Sequence, residues 1–181
     1  MKYAVFTEPA TEPVHLAEAK LHLRTVTGDT SEDSLLIGPL VTAAREYCEN
    51  VTGRALAAQT IKAYPDDWGL WQLPRTPIVS VTSIKYYDED NTEYTLAAAD
   101  YQLDTVDGLV SILEEPSTAL RELNPIVVEY TAGADCPKAV RQAMLLLIGH
   151  WYQNREAVGE AGGEIEMGVK RLLNQYREWW A

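Results

Sequence analysis

Cysteine is scarce, with only Cys48 and Cys136 in 181 residues. They lie far apart and form no Cys-x-x-Cys unit, which excludes a zinc knuckle and a disulfide framework and fits a reducing compartment. Histidine is nearly as thin. His150 falls on a different predicted helix from His15 and His22, and these two, although able to share a face, bring no third metal ligand. The chain has no Gly-x-x-x-x-Gly-Lys-Ser/Thr phosphate loop, no His-Glu-x-x-His and no Gly-x-Ser-x-Gly elbow, so an enzyme would need a site outside the familiar constellations. Long apolar runs are missing too. The longest, around Met144 to Ile148, falls far short of the ~20 residues that span a bilayer, and no basic-then-apolar leader opens the sequence. Positive charge is in deficit: 15 basic residues against 27 acidic give a formal −12, which repels phosphate backbones at long range and disfavours generic nucleic-acid binding. These absences lead us to expect a cytoplasmic protein with no catalytic residues, no cofactor and no metal.

What is present is enough for a core, since 46% of the residues are hydrophobic and the length suits one domain. Leu16 to Leu23 reads as a short amphipathic helix. Thr30 with Asp33 resembles a capping box for a second helix, along which Leu36, Leu40, Ala43, Ala44, Tyr47, Cys48 and Val51 keep helical spacing up to a C-capping Gly53. Gly38-Pro39 interrupts that pattern and predicts a kink or a delayed start. From Gln59 the texture turns to β-branched and aromatic runs separated by turn residues. The spacing predicts strands at Thr60–Tyr64, Ile78–Tyr87, Tyr101–Asp104, Leu109–Leu113 and Ile126–Thr131. A hairpin turning at Asp88-Glu89-Asp90-Asn91 returns near Thr92 to Leu96. No crossover helices separate these runs, so one small antiparallel sheet is expected. Pro137 then opens the strongest helix, striped by Val140, Ala143, Met144, Leu147, Ile148, Trp151 and Tyr152. Gly159 to Gly163 reads as a flexible joint before a final helix marked by Val169, Leu172, Leu173, Tyr176 and Trp180. The expected class is therefore α+β: a single domain, mainly a helical bundle from about 1–57 and 137–181, with a β-rich insertion at about 58–136.

The remaining features divide between chemistry and contact. Asp88, Asp90 and Thr92 resemble the opening of a calcium loop, yet Glu93 stands where glycine is required and Ala99 where a bidentate glutamate is required, so they read as a solvated turn. Gly159 to Glu164 is glycine-rich but follows a helix and carries carboxylates, which makes it a hinge and not a phosphate cradle. Glu114 and Glu115 point to opposite faces and share no target. Trp68 and Trp71 read as a cap on the sheet's core. On the strongest helix Leu146 lies opposite the main stripe beside Gln142, Gly149 and Gln153, a second apolar side that needs a second neighbour. That neighbour is either another part of this chain or another subunit. Tyr176, Trp179 and Trp180 form a candidate partner surface, with closure of the bundle core by Trp180 as the alternative.

In order along the chain, several segments match one family. Pro13-Val14-His15-Leu16-Ala17-Glu18-Ala19-Lys20 with Leu23-Arg24, and Ala43-Ala44-Arg45-Glu46-Tyr47-Cys48-Glu49 with Thr52-Gly53-Arg54-Ala55-Leu56, form its two opening helices. Leu73 to Ile84 with Tyr86-Tyr87-Asp88, and Val128-Glu129-Tyr130-Thr131-Ala132-Gly133, follow as strands. Pro137, Arg141-Gln142-Ala143, Leu145-Leu146-Leu147, His150-Trp151-Tyr152 and Asn154-Arg155-Glu156 complete the pattern. The chain thus resembles the head-tail connector, or head-completion, proteins of long-tailed phages, prophages and gene transfer agents. It departs from them at His15, where the family usually has Ser or Thr, and at Gly38-Pro39. The resemblance implies a structural virion protein with no enzymatic role, assembled as a homo-oligomeric ring of twelve. The ring would sit between the portal protein and a tail-completion or stopper protein, with DNA passing through without sequence-specific binding and no membrane involved. It also implies assembly in the bacterial host cytoplasm and a final place in the particle neck. An acidic subunit suits that role, because a like-charged lumen repels DNA in transit. A DNA-packaging accessory is the alternative, and an uncharacterised enzyme a more remote one.

Overall fold

The structure, a computed structural model, describes residues 1–25, 32–134, 136–154 and 162–178. It divides into two compact units, Met1–Ala10 with Ala58–Ala134, and Thr11–Ala57 with Asp135–Ala181.

The first unit holds eight strands among its described residues: β1 (Lys2–Thr7), β2 (Gln59–Tyr64), β3 (Leu70–Gln72), β4 (Ile78–Tyr87), β5 (Glu93–Thr95), β6 (Tyr101–Asp104), β7 (Leu109–Ile112) and β8 (Ile126–Ala132). They form a five-stranded sheet ordered β1-β2-β8-β4-β5 and a three-stranded sheet ordered β3-β7-β6, antiparallel throughout. The period-two pattern of β8 explains its central place. Ile126, Val128, Tyr130 and Ala132 are buried on one face and alternate with half-buried residues on the other. Tyr130 reconciles its hydroxyl with burial by donating to the Pro74 carbonyl at 2.7 Å. In β4 the strict alternation fails, because the register slips between Ile78 and Ser80 and again between Val81 and Ser83. Ile78 and Ile84 face the core while Ser80 and Thr82 are exposed. Gly108, in the turn from β6 to β7, has φ +70° and lies so close to Thr76 that a Cβ would meet its Cγ2 at 2.8 Å, so both conformation and space require glycine there.

The second unit holds α1 (Leu16–Leu23), α2 (Glu32–Thr52), α3 (Lys138–Gln153) and α4 (Gly162–Asn174). Val14, Ile37, Val41, Ala44, Cys48, Val140, Met144, Ile148, Val169 and Leu173 share its core, the stripes of four amphipathic segments meeting at one axis. Gly53 caps α2 in the left-handed region, φ 74°, its amide donating to the Glu49 carbonyl at 2.8 Å, as its position in the sequence implies.

A mainly helical bundle with a small β insertion is not what forms. Among the described residues eight strands in two sheets stand beside four helices, and the strand-bearing unit buries its own core of Ile61, Trp71, Leu73, Ile78, Ile84, Val110, Val128 and Tyr130. The physical reason is that the β-branched runs pair with one another and so need no helix to cover them. Two strands went unanticipated, β1 and the three-residue β3, and with β3 came the second sheet. No delayed start follows Gly38-Pro39 either: α2 runs through Pro39. Pro39 and Leu35, the residue whose carbonyl loses its donor, are both exposed, which leaves that carbonyl to water. The expected cap at Thr30 and the side chain of Asp33 lie outside the described residues, as does the joint at 159–161. Gly162 and Gly163 are already helical.

Candidate interaction surfaces

Among the described residues no group of three or more His, Cys, Asp or Glu side chains could hold a metal, and no helix is long and apolar enough to cross a membrane. Burial pushes the Cys48 thiol up to about 12 and the Cys136 thiol up to about 11, which keeps both protonated and poorly nucleophilic. Glu114 and Glu115 are exposed. Asp88 takes up its turn in a different way from a calcium ligand, accepting from the Asp90 amide at 2.9 Å and the Thr92 amide at 2.8 Å. These amides, Thr92 first, hold its carboxyl below the ordinary carboxylate range. Trp71 is buried and Trp68 stacks on it at 5.8 Å, with Tyr86 edge-on to Trp68 at 5.3 Å and Tyr94 stacked on Tyr86 at 5.2 Å. This aromatic row carries the tryptophans into the fold of the strand-bearing unit.

On α3, Leu146 remains 37% exposed, Gln142 and Gln153 are exposed, and Gly149 is half-buried. One stretch of this back face is met by the same chain: a Cβ on Gly149 would stand 3.5 Å from Nε2 of His22 on α1. Arg141, about two turns earlier, donates to Glu18 of α1. The structure thus brings Gly149 under α1 and leaves Leu146 open beside it.

At the other end of the chain, Trp179 and Trp180 lie outside the described residues. Tyr176 packs against the helical core from a half-buried position, following Val169 and Leu173, which are fully buried. The last helix is therefore part of its unit and not an arm freed by Gly162 and Gly163. The descending segment is tied down at Glu178, whose amide donates to the Thr52 carbonyl at 2.7 Å and whose carboxylate accepts from Arg54 at 2.6 Å.

The same end of α2 carries a feature not singled out from the sequence. Arg45, only 2% exposed, donates through Nε to Glu12 at 2.9 Å and through Nη1 to Glu49 at 2.8 Å, while the other oxygen of Glu49 accepts from the Leu56 amide at 2.9 Å. One buried guanidinium thereby fixes the segments that enter and leave the first two helices. A readable signal existed: Arg45 sits four residues after Val41 and three before Cys48, on the core stripe of its own helix.

The sequence profile of the head completion protein family matches residues 18–168. Among solved structures, a chain titled as the neck of an empty GTA particle computed with C6 symmetry has a TM-score of 0.83 at 24% identity, over 98% of this chain and 95% of that one. A chain from the neck of the native GTA particle computed with C12 symmetry has a TM-score of 0.77 at 21% identity, with the same 98% and 95% coverage. A third, from the virion of a native gene transfer agent (GTA) particle, has a TM-score of 0.76 at 22% identity. At these identities the likeness establishes the fold. No curated protein sequence matches significantly.

Proposed function

Because the chain belongs to the head completion protein family, whose profile spans residues 18–168, we infer that it is a structural virion protein, a head-tail connector subunit. The family match carries this reading. Support comes from the shared fold of chains in gene transfer agent necks. In this reading the subunit joins a ring of twelve in the neck of a phage or phage-like particle, after assembly in the host cytoplasm. The ring binds the portal on one side and a tail-completion or stopper protein on the other, and DNA passes through its opening. Binding and shape, not bond chemistry, are its work.

Ring contacts are head-to-tail and gain from a template that fixes closure. The isolated subunit is therefore expected to run as a monomer or a weak oligomer, and to reach a fixed ring stoichiometry once purified portal is added. Native mass measurement with and without portal checks this. A ring that forms but never binds portal would remove the portal from the scheme. Fractionation of finished particles separates the connector from a DNA-packaging accessory, since a connector stays in DNA-filled particles and a packaging factor leaves.

The open side of α3, with Gln142, Leu146, Gly149 and Gln153, is the contact we assign to a neighbouring subunit beyond the part that α1 covers. Leu146→Asp places its carboxylate where water already reaches, so stability should fall by only about 1 kcal/mol, while ring formation on the portal is lost. Normal particle yield from this variant would make Leu146 an ordinary surface leucine.

A further inference from the structure

The five-stranded sheet ends in two edges of opposite character. At one edge, all six residues of β1 are exposed, among them Tyr3, Val5 and Phe6, the last at 62%. Its surroundings are cationic. Lys2 is exposed, the Lys62 ammonium sits 3.6 Å from the Phe6 ring centroid, and Arg75 lies over Tyr3 and donates to its hydroxyl at 3.0 Å. Residues 1–7 hold no acid, although Lys62 also pairs with Glu129 at 3.3 Å. At the far edge lies β5, exposed throughout, at the end of the hairpin Asp88-Glu89-Asp90-Asn91-Thr92-Glu93, where four of six residues are acidic. Lys85 pairs with Glu93 at 2.7 Å and Arg121 is held by Tyr87 and Asn91, which leaves the hairpin with an acidic excess. Hydrogen bonds hold both Asp88 and Glu93 ionised: the Thr92 amide, Tyr94 hydroxyl and Asp90 amide lower the first, Lys85 and then Tyr87 the second.

We propose that these two edges are the two halves of one head-to-tail contact, the β1 edge of one copy seated against the β5 hairpin edge of the next. This rests on the ring reading above and adds the surfaces that make the ring. Sheet geometry permits it. Four antiparallel steps separate β1 from β5, so the two edge strands run in the same direction, and a copy turned about an axis that preserves strand direction presents its β1 parallel to the first copy's β5. Lengths agree as well. The register shift between Val5 and Thr7 confines the regular part of β1 to residues 2–5, next to a three-residue β5. Charge selects this pairing over the two-fold alternatives. A β1–β1 contact would set Lys2, Lys62 and Arg75 against their own copies, and a hairpin–hairpin contact would do the same with four acids. Lysine on an edge strand is a recognised device against self-pairing. Here it blocks the homotypic contact and leaves the acidic edge as the complementary one. An exposed strand rich in tyrosine, valine and phenylalanine also gains cover it lacks in the single chain.

Charge reversal tests the contact on the full-length protein. Lys2→Glu/Ala4→Glu makes the first edge acidic, and Glu89→Lys/Asp90→Lys makes the second basic. All four positions are exposed, so the unfolding midpoint should hold in every variant. Each pair alone is expected to raise the concentration needed for ring formation, in solution or on portal, by about tenfold or more. Both pairs in one chain should bring it back to within about threefold of the starting protein. Rings from the single-edge variants at the original concentration, or no recovery in the combined chain, would overturn the contact while leaving the ring intact. Failure of the unmodified protein to form rings under either condition would instead remove the ring reading, and the contact with it.

Discussion

Replacing Arg45 with alanine is expected to destabilise the helical unit by about 3–5 kcal/mol, the loss that follows when one partner of a buried ion pair is removed. The reason is what stays behind. Glu49, whose side chain is only 5% exposed, would keep its carboxylate and its bond to the Leu56 amide but lose the guanidinium 2.8 Å away. Glu12, a quarter exposed, can turn to water and adds less. A double replacement, Arg45→Met with Glu49→Gln, removes both charges, fills the space with apolar atoms and keeps an acceptor for Leu56. It should recover more than half of the loss. Urea unfolding of the three proteins decides the matter. An unfolding free energy for Arg45→Ala within about 1 kcal/mol of the original would show that the triad is dispensable.

The second large effect concerns the end of the chain. We propose that Tyr176, Trp179 and Trp180 serve as a partner surface for a neighbouring protein, the portal in the scheme above, since paired tryptophans offer the rigid apolar area that dominates interface energetics. Ending the chain after Glu178 removes both tryptophans and keeps every contact described for the helical unit. The shortened protein should melt normally and no longer join heads to tails. Ending it after Leu173 also removes Tyr176, packed on the core, and Glu178 with its bonds to Thr52 and Arg54. That chain should lose about 2 kcal/mol, roughly 4–8 °C in melting temperature. Particle completion by the longer truncation product, residues 1–178, would refute docking by the tryptophans. A drop in its melting temperature would show instead that Trp180 closes the core.

Helical elements were the most readable part of this sequence, because their stripes are long. The 16-residue α3 repeats its apolar pattern over more than four turns, and Val140, Met144 and Ile148 are all fully buried. Strands β2, β4 and β8 were legible by their β-branched runs. β1 was not read, although Tyr3-Ala4-Val5-Phe6-Thr7 ahead of Pro9 carries strand-forming side chains. Its partner β2 begins at Gln59, so no local turn joins the two. β3 is three residues long, too short for any period to show. Arg45 was read as part of a family segment and not as a buried ion, since charge on a helical stripe is more often solvated.

Composition and periodicity by themselves determined that this chain folds around apolar helices and antiparallel strands, and the ordered segments sufficed to point to its family. Those properties are local: they depend on side chains within a few turns or a few pleats of one another. Only the tertiary structure decided how much of the molecule is sheet and which strand forms each edge. It also decided that Arg45 holds Glu12 and Glu49 together, and that a cationic edge and an acidic edge terminate the same sheet. Each of these depends on pairing between residues tens of positions apart, where strand register, bulges and the choice of neighbour are set by the whole packed set of surfaces and leave no periodic trace along the chain.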